Sequence, residues 1–312
     1  MSGTITVLRV GDWVEVRPAL EIAQTLDADG TLDGLPFMPE MLEHVGGRFR
    51  LLRKAEKTCI EMPGGQYAVR ELLRNDVFLL EGLRCSGAFH DGCQRLCMLF
   101  WKAAWLRKVD EGGRENAPDL NQLSALNSKL KTKSAPERYY CQSTQLATAT
   151  RVEPFTWLEI LIKCWRDVWS GAVTPVKMVE LILVPLYRKI RDRTVGRPYL
   201  RGPLKRTPVG DLALQPGEVV EIKSLEEMRH TLDANGRNRG LVCDIELEVF
   251  AGTTDRVKAR LERMISEATG EMRKVEATVI LEGNTCMCAR VVGGCPRLDY
   301  CYWREVWLKR AN

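Results

Sequence analysis

Histidine is scarce in this chain: His44, His90 and His230 are the only three in 312 residues. Any Ser-His-Asp or Cys-His arrangement must use one of them, and no G-x-S-x-G elbow is present to present a serine nucleophile. The glycine-rich phosphate loops of the P-loop and dinucleotide types are also missing, so nucleotide binding has no support. No zinc-finger spacing, RNP motif or aromatic ladder accompanies the basic residues, and the net charge of +5 is modest for this length, so nucleic acid is not favoured as a partner. The start, MSGTITVLRVGDWVEV, lacks a basic region followed by an apolar one, and no apolar run is long enough to span a bilayer. These absences predict a soluble, cytoplasmic protein.

What is present begins with an apolar content of 45%, enough to bury one sizeable core and more plausibly two. An internal duplication divides that content. Gly11-Asp12-Trp13-Val14-Glu15-Val16-Arg17 matches Gly217-Glu218-Val219-Val220-Glu221-Ile222-Lys223, and Thr25-Leu26-Asp27-Ala28-Asp29-Gly30 matches Thr231-Leu232-Asp233-Ala234-Asn235-Gly236. Leu80-Glu81-Gly82 and Cys85 match Leu281-Glu282-Gly283 and Cys286, and Trp101 to Leu106 matches Trp303 to Leu308. The blocks keep their order, so each copy is expected to be one folding unit on a common plan.

Within a copy, Asp12 to Arg17 alternates as a half-buried strand does, and Glu21 to Leu26 forms a short helix ending at an Asp-Ala-Asp-Gly turn. Arg48 to Ala55, Val77 to Leu80 and Met98 to Leu106 are further strands, separated by glycine-rich turns and Met62-Pro63-Gly64-Gly65. Trp101 and Trp105, like Trp303 and Trp307, recur at a four-residue spacing that conflicts with a continuous strand. The fold class is α+β: two small SH3-like β-barrel modules from the duplication, joined by a helical segment. The boundaries are 1–110 for the first module, 111–152 for a polar linker, 153–215 for a helical and basic connector, and 216–312 for the second module.

In the connector, Trp157, Leu158, Leu161, Ile162, Trp165, Val168 and Trp169 recur at helical spacing on one apolar face, with Gly171 as the stop. Thr174-Pro175 opens a second helix through Lys177 to Ile190, with Pro185 placed to kink it. It passes into Arg188, Lys189, Arg191, Arg193, Arg197, Arg201, Lys205 and Arg206, opposed only by Asp192. An apolar face with a basic tail suits peripheral contact of 176–206 with an anionic membrane; the commoner alternative is an ordinary core helix with a solvated tail.

Cysteine supplies the main chemical constellation. Eleven cysteines without a secretion leader are expected to stay reduced, as metal ligands or buried thiols. The first module holds Cys59, Cys85, Cys93 and Cys97, with His90 between Cys85 and Cys93, and Cys141 follows the linker. Gly87, Asp91 and Gly92 frame a loop that would let several sulfurs converge. Four thiolates suit zinc or an iron-sulfur cluster, and the missing C-x2-C knuckle places the cluster slightly ahead. Inert burial explains the same residues, since free cysteine packs as a small hydrophobe. A nucleophile and base pair of Cys85 or Cys93 with His90 is a further candidate. The second copy keeps Cys286 and Cys295, adds Cys288 and Cys301, and has Asp299 near the position of Cys97; Cys243 is either a ligand or a buried thiol.

The motifs GDWVEVR, DGLPFMPEM, LEGLRCSGAFHDGCQRLC and FWKAAWLRK, with YWREVWLKR closing the second copy, resemble those of an uncharacterised bacterial family of internally duplicated, cysteine-containing proteins. The resemblance covers nearly the whole chain and implies that Cys59, Cys85, Cys93, Cys97 and Cys141 occupy family cysteine positions, in proteins that tend to sit among biosynthetic genes. It implies no established activity, and the family's proline at the position of Cys301 is absent here. Two functions follow. One is a metal- or iron-sulfur-binding protein, with a bacterial biosynthetic enzyme acting on a small molecule as one form of it, and with cofactor ligands drawn from the first-module cysteines, Cys141 and His90. The other is a noncatalytic tandem-barrel binding or scaffold protein that engages a protein partner, with structural cysteines.

Overall fold

The computed structural model describes residues 8–62, 66–111, 119–152, 156–169, 173–194, 200–243, 245–286 and 296–311. The Met62-Pro63-Gly64-Gly65 turn beyond Met62, the Gly171 stop, Arg197, Cys288 and Cys295 lie outside the described residues. The chain divides into two compact units: Met1–Met178 with Ile265–Met272 and Cys295–Arg297, and Val179–Met264 with Arg273–Gly294 and Leu298–Asn312.

The first unit is built on a curled, five-stranded antiparallel sheet of β1 (Trp13–Val16), β2 (Arg48–Ala55), β3 (Val77–Arg84), β4 (Met98–Lys102) and β5 (Leu106–Lys108), in the order β4-β3-β2-β1-β5. Burial does not alternate along β1 as the sequence predicts: Val14 and Val16 are buried, and so is Glu15 between them, ion-paired with Arg48 and Arg107, while Trp13 pairs with Arg50 across β1 and β2. The expected strand from Met98 to Leu106 is broken. Residues Ala103–Trp105 form one 3-10 turn, held by Ala103 N–H on the Asp76 carbonyl (2.7 Å) and by Arg17 N–H on the Trp105 carbonyl (2.9 Å). Trp101 in β4 and Trp105 in the turn are both fully buried in the core. Phe37 meets them edge-on at ring-centroid distances of 6.1 and 5.2 Å, a favoured aromatic geometry.

The second sheet repeats this plan with β6 (Val219–Ile222), β7 (Thr254–Arg260), β8 (Thr278–Thr285), β9 (Tyr300–Arg304) and β10 (Leu308–Arg310), in the order β9-β8-β7-β6-β10. A 3-10 turn at Glu305–Trp307 again precedes the last strand. The repeated Leu-Glu-Gly marks the same place in both copies: β3 and β8 share one burial pattern, four buried residues and then an exposed Glu-Gly pair where the register shifts. Trp105 Nε1–H donates to Thr25 Oγ1 at 3.0 Å, and Trp307 Nε1–H donates to Thr231 Oγ1 at 2.9 Å. The duplication noted in sequence is therefore a duplication of hydrogen bonds as well. Thr25→Val or Thr231→Val leaves a buried indole N–H without its acceptor and is expected to lower stability by about 1–3 kcal/mol, measured by urea denaturation.

Residues 119–152, expected as a polar linker, carry elements of their own. Asp119 caps a helix at Leu120–Asn127, accepting from the backbone N–H groups of Asn121 and Gln122. A second short helix spans Gln142–Gln145, and Thr150–Arg151 pairs with the strand Gln66–Leu72, itself in a hairpin with Lys57–Met62. Polar composition masked this order because the segment is anchored largely through side-chain amides and hydroxyls. Later in the chain come the helices α1 (Trp157–Trp169) and α2 (Pro175–Thr194); Thr174 Oγ1 accepts from Lys177 N–H at 3.3 Å, as its capping position predicts.

Candidate functional site

A cysteine-lined cavity lies in the first unit. Cys85 follows the last residue of β3 and Cys97 precedes the first of β4, so the two face each other where the ladder ends, joined by Cys85 N–H on the Cys97 carbonyl at 2.8 Å. Between them the chain makes a compact turn in which His90 and Gly92 N–H groups both donate to the Gly87 carbonyl, and Cys93 N–H donates to that of His90. Gly87 has φ +70°, and a Cβ there would stand 2.0 Å from the Cys93 carbonyl oxygen. Only glycine fits such an approach. Gly87→Ala is expected to cost about 1–3 kcal/mol or more and to speed thiol labelling of Cys93, read by unfolding and by reaction with a disulfide reagent.

Cys141 comes from a different stretch. Gln142 pins it beside β4: Phe100 N–H donates to Gln142 Oε1 at 2.8 Å, while the amide nitrogen donates to the carbonyls of Phe100 (2.8 Å) and Pro36 (3.0 Å). Cys85, Cys93, Cys97 and Cys141 line one cavity, together with apolar side chains such as Met38, Phe100 and Ile265. Ile265 N–H donates to Cys93 Sγ at 3.4 Å, and Cys97 Sγ lies 4.0 Å from Ser143 Oγ. Among the described residues no three His, Cys, Asp or Glu side chains already stand at metal-holding geometry. The sulfurs share a cavity without having closed on a point.

Cys59 lies apart from the cavity lining, on the strand Lys57–Met62 opposite Val69, and reaches the site through its carbonyl, which accepts from Arg297 at 2.9 Å. His90 contributes to the lining, but both its ring nitrogens are engaged: Nδ1 with Glu40 Oε1 at 2.5 Å and Nε2 with the Tyr140 carbonyl at 3.0 Å. Nε2 donates to the carbonyl and Nδ1 faces the Glu40 carboxyl. Burial alone would lower the His90 pKa, yet the Glu40 hydrogen bond and charge outweigh that and raise it. These contacts orient the turn, and a metal or a thiol would have to displace one of them to reach a ring nitrogen.

Sequence reasoning missed three polar groups here. Glu40 is buried, with Oε2 lacking a hydrogen-bond partner; the signal was a carboxylate set inside the apolar stretch Phe37 to Met41. Glu267 and Arg297 had no local signal. They meet through Arg297 Nη2 to Glu267 Oε2 at 2.8 Å, and Arg297 also donates to Ser143 Oγ at 2.7 Å. Burial would raise the Glu267 pKa, but the guanidinium groups of Arg297 and Arg95 hold it below the usual carboxylate range.

Two of the thiols, Cys85 and Cys141, are pushed toward the protonated form. Burial pushes Cys85 well up, helped by the charge of Glu40 and by Cys97, and burial pushes Cys141 up to about 11. Such thiols are poor nucleophiles on their own and release protons only to a strong electrophile or a cation. In the second sheet, Cys286 N–H donates to the Asp299 carbonyl at 2.7 Å, the counterpart of the Cys85 and Cys97 pairing with an acidic residue in place of the second thiol. Cys243 and Cys301 are buried in that unit's apolar core. Comparison of the chain with protein-family models, curated proteins and solved structures returned no match.

Proposed function

We propose that the first unit is a thiolate metal-binding module, with Cys85, Cys93, Cys97 and Cys141 as ligands to zinc or to an iron-sulfur cluster. One observation carries this reading: four cysteines from two stretches, Cys85 and Cys141 lying 56 residues apart, line a single largely apolar cavity. Soft sulfur donors in that number match these metals, and the cation would stabilise the thiolates that burial disfavours. Glu40 and His90 then act behind the ligands by fixing the turn, and Arg297 with Glu267 braces the opposite wall. The strand order and the 3-10 turn before the closing strand support an SH3-like barrel for each module, and the shared motifs support membership of the duplicated bacterial family.

The test is titration of reduced, metal-free protein with cobalt(II). Absorption from thiolate-to-cobalt charge transfer, displaced by zinc, is expected. Absence of any thiolate band at saturating cobalt overturns the reading in favour of a noncatalytic binding protein with structural thiols.

A further inference from the structure

The two long helices carry their apolar faces outward. On α1, Trp157, Leu158, Leu161, Ile162, Trp165 and Trp169 are between 54% and 81% exposed, while Cys164 at the border of that stripe is buried and Arg166 is ion-paired with Glu56. This inverts the usual amphipathic arrangement, in which the apolar stripe packs on the helix's own domain. On α2, Val176, Val179, Leu183, Leu186 and Ile190 alternate three- and four-residue spacings along one stripe and are each more than a third exposed. From Leu186 to Arg206 the sequence has eight basic residues and one acidic residue, and Lys189 and Arg193 are exposed.

We propose that α1 and α2 dock on an anionic phospholipid bilayer, lying in its interface. Charge complementarity selects the occupant: the basic segment matches a negatively charged headgroup layer, which attracts clustered lysine and arginine. The aromatic content agrees, since indole rings favour the headgroup boundary. Trp165 and Trp169 stand four residues apart on α1, eight and twelve residues after Trp157, with the last two rings stacked at 6.1 Å. A fluid surface accommodates them. No helix among the described residues is long and apolar enough to cross a membrane, so the contact is peripheral.

The experiment is co-sedimentation of the full chain with phosphatidylcholine vesicles, with and without phosphatidylglycerol, at low and high salt, alongside tryptophan emission. Binding to the anionic vesicles alone, weakened by salt and accompanied by a blue shift, is the expected result. Lys189→Glu with Arg193→Glu should weaken partitioning by at least about five-fold per residue. Trp165→Ser with Trp169→Ser should shrink the blue shift to what Trp157 contributes; all four positions are exposed and outside the cysteine cavity, and an unchanged melting temperature would confirm folding. Lack of vesicle association at low salt overturns the proposal, as does a stable dimer of the chain lost in the tryptophan variant. Binding of a single-stranded oligonucleotide in place of vesicles also overturns it.

Discussion

Glu40→Gln is expected to destabilise the protein by about 3 kcal/mol in mildly acidic solution, because it leaves the buried imidazolium of His90 without its counter-charge. The pH dependence carries the sharper signature. The folded His90 pKa is raised above its unfolded value, so the pair's contribution is fully present below about pH 6.5 and is lost as pH rises through the raised folded value. Wild-type stability should contain that declining component and the variant should not. Thiol chemistry supplies a second readout. The Glu40 charge adds to burial in holding the Cys85 thiol protonated, so the variant should shift Cys85 labelling to lower pH. Chemical denaturation across pH, with site-resolved labelling, measures both.

Cys93→Ala, Cys97→Ala and Cys141→Ala should each lower metal affinity by more than the roughly 10–100-fold that loss of an outer-sphere partner costs. Cys59→Ala should retain the metal, because the Cys59 side chain is outside the cavity lining and its contribution to the site is a backbone carbonyl. That contrast separates the geometry from the sequence, which grouped all five cysteines. Affinity should also climb steeply with pH, since Cys85 and Cys141 must lose protons held above the ordinary thiol range. Competition with a chromophoric chelator at several pH values checks the slope.

Much of the architecture was legible because its signals are local. The run Arg48–Ala55 between glycine-rich turns marks a strand of those bounds, and the ordered matches between copies mark two sheets of one strand order. The paired tryptophans were legible as core but not as conformation. A three-residue 3-10 turn leaves little periodicity to detect, so the strand through Trp105 was drawn too long. The short elements within 119–152 were not legible because polar side chains such as Gln142 order the backbone there, which composition does not reveal. The cysteine cluster was half visible: Cys85, Cys93 and Cys97 are close in sequence, whereas the approach of Cys141, Ile265 and Arg297 depends on tertiary packing. His90 was found by proximity to the cysteines and given a ligand's role. Its partners, Glu40 fifty residues upstream and the Tyr140 carbonyl fifty downstream, carry no local signal in the sequence.

The claim that the cavity holds a thiolate-bound metal is tested most directly by anaerobic purification of the wild-type chain, followed by elemental analysis for iron, zinc and sulfide with a visible spectrum. The account predicts stoichiometric zinc without colour, or iron with sulfide and a visible band, lost in either case on Cys93→Ala. Metal-free protein from such a preparation, folded and with its thiols reduced, would contradict it.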